Sequence, residues 1–202
     1  MKGIAGLVLA AGASSRMGTP KQLLPIGQST LLDHVLAEAL QSNLEMVVLV
    51  LGFKAEAIVK GLKSNLRHPK LKVIQNKDYS QGISSSLISG LSVVEKDSEG
   101  VMILLGDMPH ITANLINLLL HRYEQSPLCL AAVSSGGKRT HPVIIGRPFF
   151  SALHELRGDA GAKALFAEHA GHVCMVEPFG EYDDSDIDTR DDYLELRRKL
   201  EQ

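Results

Sequence analysis

The stretch Ile4-Ala5-Gly6-Leu7-Val8-Leu9-Ala10-Ala11-Gly12-Ala13-Ser14-Ser15-Arg16-Met17-Gly18-Thr19-Pro20-Lys21 decides how this chain folds. Its opening part, Ile4 to Leu9, is short and continuously apolar, the pattern of a strand buried on both faces. A strand that runs into a loop of small residues leaves backbone N–H groups pointing outward. Such a loop forms a concave nest for phosphate oxygens. Arg16 and Lys21 add positive charge at the same edge. The parts needed to hold a triphosphate therefore lie between Leu9 and Lys21.

The spacing excludes two familiar phosphate loops. A Walker-type loop places its lysine directly after the closing glycine, but Gly18 is followed by Thr19 and Pro20 before Lys21. The dinucleotide fingerprint needs a second glycine two residues after Gly12, where Ser14 stands.

Working outward, strand-like runs at 3–9, 46–51, 72–74, 101–105, 128–133, 142–145 and 172–175 alternate with amphipathic stretches. These fall at 30–41, 55–62, 84–94, 113–125, 148–156, 161–170 and 191–199. Short apolar strands alternating with helices predict an α/β sandwich around a mainly parallel sheet. With no internal repeat or low-complexity tract, residues 1–202 read as a single domain. In such folds ligands sit beyond the carboxyl ends of the strands, where strand order reverses. Candidate chemistry falls there: after Leu9, after Ile74, after Leu105 and near His141.

Composition narrows the partners. The 202 residues are 45% hydrophobic and 22% charged, with a formal net charge of −2, so no overall field draws nucleic acid or an anionic membrane. No apolar run approaches the roughly 18 residues of a membrane span. The start of the chain leads straight into the phosphate loop, unlike a cleavable leader. Its two cysteines, Cys129 and Cys174, lack metal spacing and read as buried free thiols of a cytoplasmic protein.

Asp107 follows the apolar run Val101 to Leu105 in Gly106-Asp107-Met108-Pro109. A carboxylate at a strand end, beside a phosphate loop, suits Mg²⁺, which takes hard oxygen ligands and few protein groups. Thr112 is placed to cap the next helix, which leaves Asp107 free for metal. The acidic run Asp183-Asp184-Ser185-Asp186-Ile187-Asp188-Thr189-Arg190-Asp191-Asp192-Tyr193 reads locally as a solvated turn with Thr189 or Asp188 as N-cap. In Asn76 to Leu87, Gly82 allows close backbone approach and Ser84 to Ser86 offer hydroxyls at a helix start. His141 in Thr140-His141-Pro142-Val143 sits at a strand edge, and Asp159 in Arg157-Gly158-Asp159-Ala160-Gly161-Ala162-Lys163 reads as an N-cap.

The run Leu9 to Lys21 resembles the signature L-A-A-G-x-S-x-R-M-G-x-x-K of the nucleoside triphosphate transferases. Within that group the chain is most similar to the molybdenum cofactor cytidylyltransferases and the MobA-like transferase domain. The resemblance implies a three-layer α/β/α sandwich with a Rossmann-like, mainly parallel (mixed) sheet of the nucleotide-diphospho-sugar transferase type. It implies attack by an acceptor phosphate on the α-phosphorus of a nucleoside triphosphate, releasing pyrophosphate.

By this resemblance Leu9, Ala10, Ala11, Gly12, Ser14, Ser15, Gly82 and Ser86 bind the nucleotide, while Arg16, Lys21 and Asp107 carry the catalysis. D-I-D-T-x-x-D-Y resembles the family's closing motif, although Arg190 replaces the usual proline. It implies that Asp188, with Asp186, joins Asp107 in holding Mg²⁺. His141 and Asp159 would face the acceptor. Ala11 and the Pro20-Lys21 ending match the cytidylyltransferase branch. The implied substrates are CTP and molybdopterin, a phosphorylated pterin, with a molybdenum hydroxylase apoenzyme as partner. GTP, another phosphorylated acceptor such as a sugar phosphate, or a non-catalytic cofactor-binding chaperone remain alternatives.

Overall fold

In the computed structural model, which describes residues 3–14 and 17–200, the opening apolar run is a strand, β1 (Ile4–Ala10), buried at every position. The chain continues through β2 (Pro25–Ile26), β3 (Ser29–Thr30), α1 (Leu31–Gln41), β4 (Met46–Leu51), α2 (Ala55–Gly61), β5 (Leu71–Gln75) and α3 (Ile83–Val94). It then forms β6 (Gly100–Leu105), α4 (Ala113–Glu124), β7 (Leu130–Ser135), β8 (Lys138–Gly146), α5 (Phe150–His154), α6 (Lys163–Glu168), β9 (Val173–Val176) and α7 (Arg190–Leu200). Single 3-10 turns at Lys21–Leu23 and Gly158–Ala160 recur at the site.

Seven strands form one sheet in the order β5-β4-β1-β6-β8-β7-β9. β1 runs parallel to β4 on one side and β6 on the other. β8 is antiparallel to both β6 and β7, so it alone runs against the others. Strand order reverses at β1 and β6, which places the switch point at their carboxyl ends.

Alternate strand residues build two separate cores, as the two-residue period of a strand requires. Val8, Leu49, Met102 and Leu104 pack with Leu36 of α1 and Leu119 of α4. Leu7, Val48, Val101 and Ile103 pack on the other face with Leu91 of α3, Phe150 of α5 and Phe166 of α6. Helices on both faces of one sheet give the three layers that the sequence implies.

Two features depart from the sequence pattern. The strands expected at 128–133 and 142–145 form at 130–135 and 138–146 as one hairpin, with Ser135 opposite Lys138. Gly136 and Gly137 take φ +56 and +75, the left-handed pair that a two-residue hairpin turn demands. The second feature is the β2–β3 hairpin, too short to show a hydrophobic period. The helices expected at 148–156 and 161–170 shorten to α5 and α6. Both cysteines are free, and they are half-buried rather than fully buried.

α1 begins with a reciprocal cap. Thr30 accepts from the Asp33 N–H, and the Asp33 carboxylate accepts from the Thr30 N–H. The buried Asp33 also accepts from the N–H groups of Lys63 and Ser64 and from the Ser64 hydroxyl at 2.6 Å. Burial alone would raise its pKa, but the donors from Ser64, Lys63 and Thr30 outweigh it and hold the carboxyl below the usual range. Its contribution is therefore full above the ordinary carboxylate pKa and is lost as pH falls through the lower folded value. Asp33→Ala should cost about 2–4 kcal/mol at neutral pH, because several buried donors lose their acceptor. Urea unfolding at pH 7 and pH 3 checks this, and the deficit should shrink in acid, where the wild type loses the same charge.

Candidate active site

Beyond β1 the chain is turned back by its own side chains. Gln22, only 3% exposed, donates its carboxamide N–H groups to the carbonyls of Ala10 (3.1 Å) and Gly12 (3.2 Å). Ser14 holds a left-handed φ of +50, rare for a residue with a Cβ. Its hydroxyl donates to Gln22 and accepts the Lys21 N–H at 3.1 Å. Ala11 is buried against Gly52, and its carbonyl accepts the Phe53 N–H. Gly12 is exposed, with open space where a Cβ would stand. Ser15 and Arg16, both expected at the site, lie outside the described residues.

The neighbouring strand supplies Asp107, two residues past the end of β6. The acidic run returns to it from far along the chain. The Ile187 N–H donates to the Asp107 carbonyl at 3.0 Å, while the Ile187 side chain is buried with Leu31 and Leu196. Asp186 and Asp188 flank this anchor. Ligand oxygens of Asp107, Asp186 and Asp188 all lie within 4.8 Å of one another. Thr189 and Asp192 form a second reciprocal cap that starts α7, and the Tyr193 hydroxyl donates to the Pro25 carbonyl. Thr189 is thus the cap, and Asp188 is released toward the site.

Lys21 Nζ stands between Asp107 (2.6 Å) and Asp188 (2.7 Å). Burial would lower its pKa, but the two carboxylates outweigh burial and raise it. Asp186 is pushed up by burial and by the negative charges of Asp107 and Asp188. A cluster of three carboxylates beside a lysine has the chemistry of a divalent metal site. Its hard oxygens fit Mg²⁺ or Mn²⁺.

The remaining expected residues gather where the start of α3, the Gly158–Ala160 turn and β8 come together. Gly82 has φ +99, and a Cβ there would lie 2.4 Å from the Gly158 carbonyl carbon. The close approach that Gly82 permits is taken up by the chain itself. Asp159 Oδ1 accepts the Ile83 N–H at 3.3 Å, capping α3 from another element. Ser86 is buried, and its hydroxyl accepts from Asn76. Burial pushes the His141 pKa down, aided by the Arg139 charge and opposed by the Ile103 carbonyl and Asp107. His141 and Asp159 share a cleft of about 270 Å³ with Leu9, Ile103 and Arg139.

Two substrates therefore have room: a polyanion at the loop and Lys21, and a second molecule in the cleft. The MobA-like NTP transferase domain matches residues 6–173. The chain belongs to this family. It is a nucleotidyltransferase, and its fold is that of the nucleotide-diphospho-sugar transferases.

Relatives at similar identity carry different names. Nicotine blue oxidoreductase of Paenarthrobacter nicotinovorans is 29% identical over 92% of each chain. The purine catabolism protein PucB of Bacillus subtilis is 32% identical over 96% of each. The molybdenum cofactor cytidylyltransferase of Escherichia coli is 28% identical over 98% of each. Among solved structures, an Rv0371c homologue from Mycobacterium sp. strain JC1 superposes with a TM-score of 0.84 at 32% identity, covering 98% of this chain and 96% of that one. Mycobacterium tuberculosis Rv0371c, solved as a manganese complex, gives 0.76 at 28% identity over 99% of each chain. No helix among the described residues is long and apolar enough to cross a membrane.

Gln22 and Tyr182 escape sequence reasoning. Gln22 is a polar residue beside the lysine whose burial only the fold reveals. Tyr182 ties the acidic run to β8 through the His141 carbonyl at 3.0 Å. Gln22→Leu removes two donors from buried loop carbonyls. It should weaken nucleoside triphosphate binding about tenfold, as expected for losing hydrogen bonds that shape the loop. Calorimetry on wild type and variant checks this.

Proposed function

We propose that the chain transfers CMP from CTP to the phosphate of molybdopterin, with Mg²⁺ as its metal and pyrophosphate as the leaving product. The observation that carries this reading is the meeting of Lys21 with Asp107 and Asp188 at the mouth of the phosphate loop. A protein that only bound and delivered a cofactor would have no need to bring a lysine into a carboxylate cluster.

An oxygen of the acceptor phosphate forms a bond to the α-phosphorus, and the bond from that phosphorus to the bridging oxygen of pyrophosphate breaks. The acceptor is already ionised, so no protein nucleophile is required. Catalysis then consists of in-line positioning and charge neutralisation. In this reading the Gly12–Ser15 backbone would cradle the phosphates, and Lys21 offsets charge on the α-phosphate. Asp107, Asp186 and Asp188 would hold Mg²⁺, which supplies positive charge to the reacting phosphate oxygens. Arg16 takes charge on the leaving pyrophosphate.

The choice of CTP rests on Ala11. In this reading its methyl group, where the guanylyltransferases usually carry a glycine, narrows the space beside the base and favours a pyrimidine. Likeness to the Escherichia coli molybdenum cofactor cytidylyltransferase supports the same substrates. Gly82 and Ser86 belong to the nucleotide side of this reading, His141 and Asp159 to the acceptor side. The product would pass to a molybdenum hydroxylase apoenzyme.

Pyrophosphate release with Mg²⁺ and molybdopterin should favour CTP over GTP, ATP and UTP, and chelation should abolish it. Preference for GTP would overturn the Ala11 argument. Lys21→Ala and Asp107→Ala should each lower kcat by at least about a hundredfold, the scale of removing transition-state charge stabilisation. Both variants should still unfold cooperatively on heating. Near-normal turnover in either would refute the mechanism.

A further inference from the structure

We propose that Arg139 anchors a phosphate monoester in the cleft that it shares with His141 and Asp159. The inference deepens the nucleotidyl-transfer reading, since that reaction needs a second anion next to the first.

Arg139 lies on β8 opposite Ser134. Its guanidinium carbon stands 4.7 Å from the centroid of the Phe166 ring, and Phe166 is itself only 2% exposed in α6. Stacking on a fixed ring covers a face of the guanidinium and leaves its in-plane N–H fork to find acceptors. Among the described residues that fork has no hydrogen-bond acceptor and no carboxylate partner. Burial also pulls the Arg139 pKa down, so its charge stands partly desolvated without compensation. The residue is half-buried on the wall of the cleft, so an anion entering the cleft can complete the fork.

The surroundings say which ligand. Lys163 adds a second cation to the cleft, while Asp159, its carboxylate, is occupied by the Ile83 N–H. The floor is apolar, from Leu9, Ile103 and Val143, with room for a ring-sized group. Leu9 pairs with Leu105, and the residues just beyond them are the phosphate loop and Asp107. An anion on Arg139 therefore reaches the carboxylate cluster from the side away from α1. A planar fork favours a phosphate monoester, which it can bind through two oxygens at once.

Calorimetry with phenyl phosphate in the presence of Mg²⁺ tests the site on wild type, R139A and R139K, with CTP titrated in parallel. Wild type should bind phenyl phosphate. R139A should weaken that binding at least about tenfold, the scale of a lost charge-assisted pair. R139K should fall between the two, and CTP affinity should stay within about twofold of wild type. In turnover with molybdopterin, R139A should raise the acceptor KM far more than it lowers kcat. Equal binding of phenyl phosphate by wild type and R139A, or none by wild type, overturns the proposal. Loss of CTP affinity in R139A would also overturn it, by giving the cleft to the nucleotide. Phenyl phosphate binding that depends on Arg139, without turnover of molybdopterin, would uphold the site and reject the pterin. Should R139A fail to fold, R139K carries the same comparison.

Discussion

The parallel register that pairs Leu9 with Leu105 is the constraint on which the site depends. It brings two strand ends that are far apart in sequence to the same level at the top of the sheet. One continues into the small-residue loop, the other into Asp107. A one-residue slip would turn every side chain of β1 to the opposite face and into the wrong one of the two cores. The two cores on either side of the sheet, built from alternate residues of the same strands, therefore fix the register and with it the site.

The cluster at that level works against electrostatics. Three carboxylates within 4.8 Å repel one another, and apolar burial elsewhere is what holds them there. Ile187 is the clearest case. Its side chain is locked between Leu31 and Leu196 and its N–H is fixed to Asp107, so Asp186 and Asp188 have no freedom to separate. The start of α7, capped by Thr189 and Asp192, sets where the run ends. At the other edge, the ion pair of Asp183 with Lys199 (2.8 Å) and its contact with His110 Nε2 (3.3 Å) pin the beginning of the run. Lys21 is the resident cation that relieves the repulsion, its backbone N–H held by Ser14 and its ammonium group by Asp107 and Asp188.

Polar groups where the start of α3, the Gly158–Ala160 turn and β8 meet serve structure and site together. Gly82 lets α3 press against the Gly158–Asp159 backbone, and Asp159 caps α3 across that contact. This packing closes one wall of the cleft, while the β7–β8 hairpin brings Arg139 and His141 to the other.

Much of this was legible in the sequence. The apolar run at 4–9 specified a buried strand, because a chain hydrophobic on both faces has nowhere else to lie. Asp107 after 101–105 and the caps at Thr112 and Thr189 followed from local rules that act within a few residues. The Gly-Gly hairpin signal was present too, although the polar ends of β7 and β8 concealed their pairing. What the sequence by itself determined was the kind of fold and the chemistry carried by each strand end. The tertiary structure alone decided that Lys21, Asp107 and Asp188 would meet, that Gln22 would be buried under the loop, and that Arg139 would have no counter-ion among the described residues. Those outcomes depend on which distant segments are pressed together, and the sheet register and the packing of Ile187 set that through contacts no local pattern records.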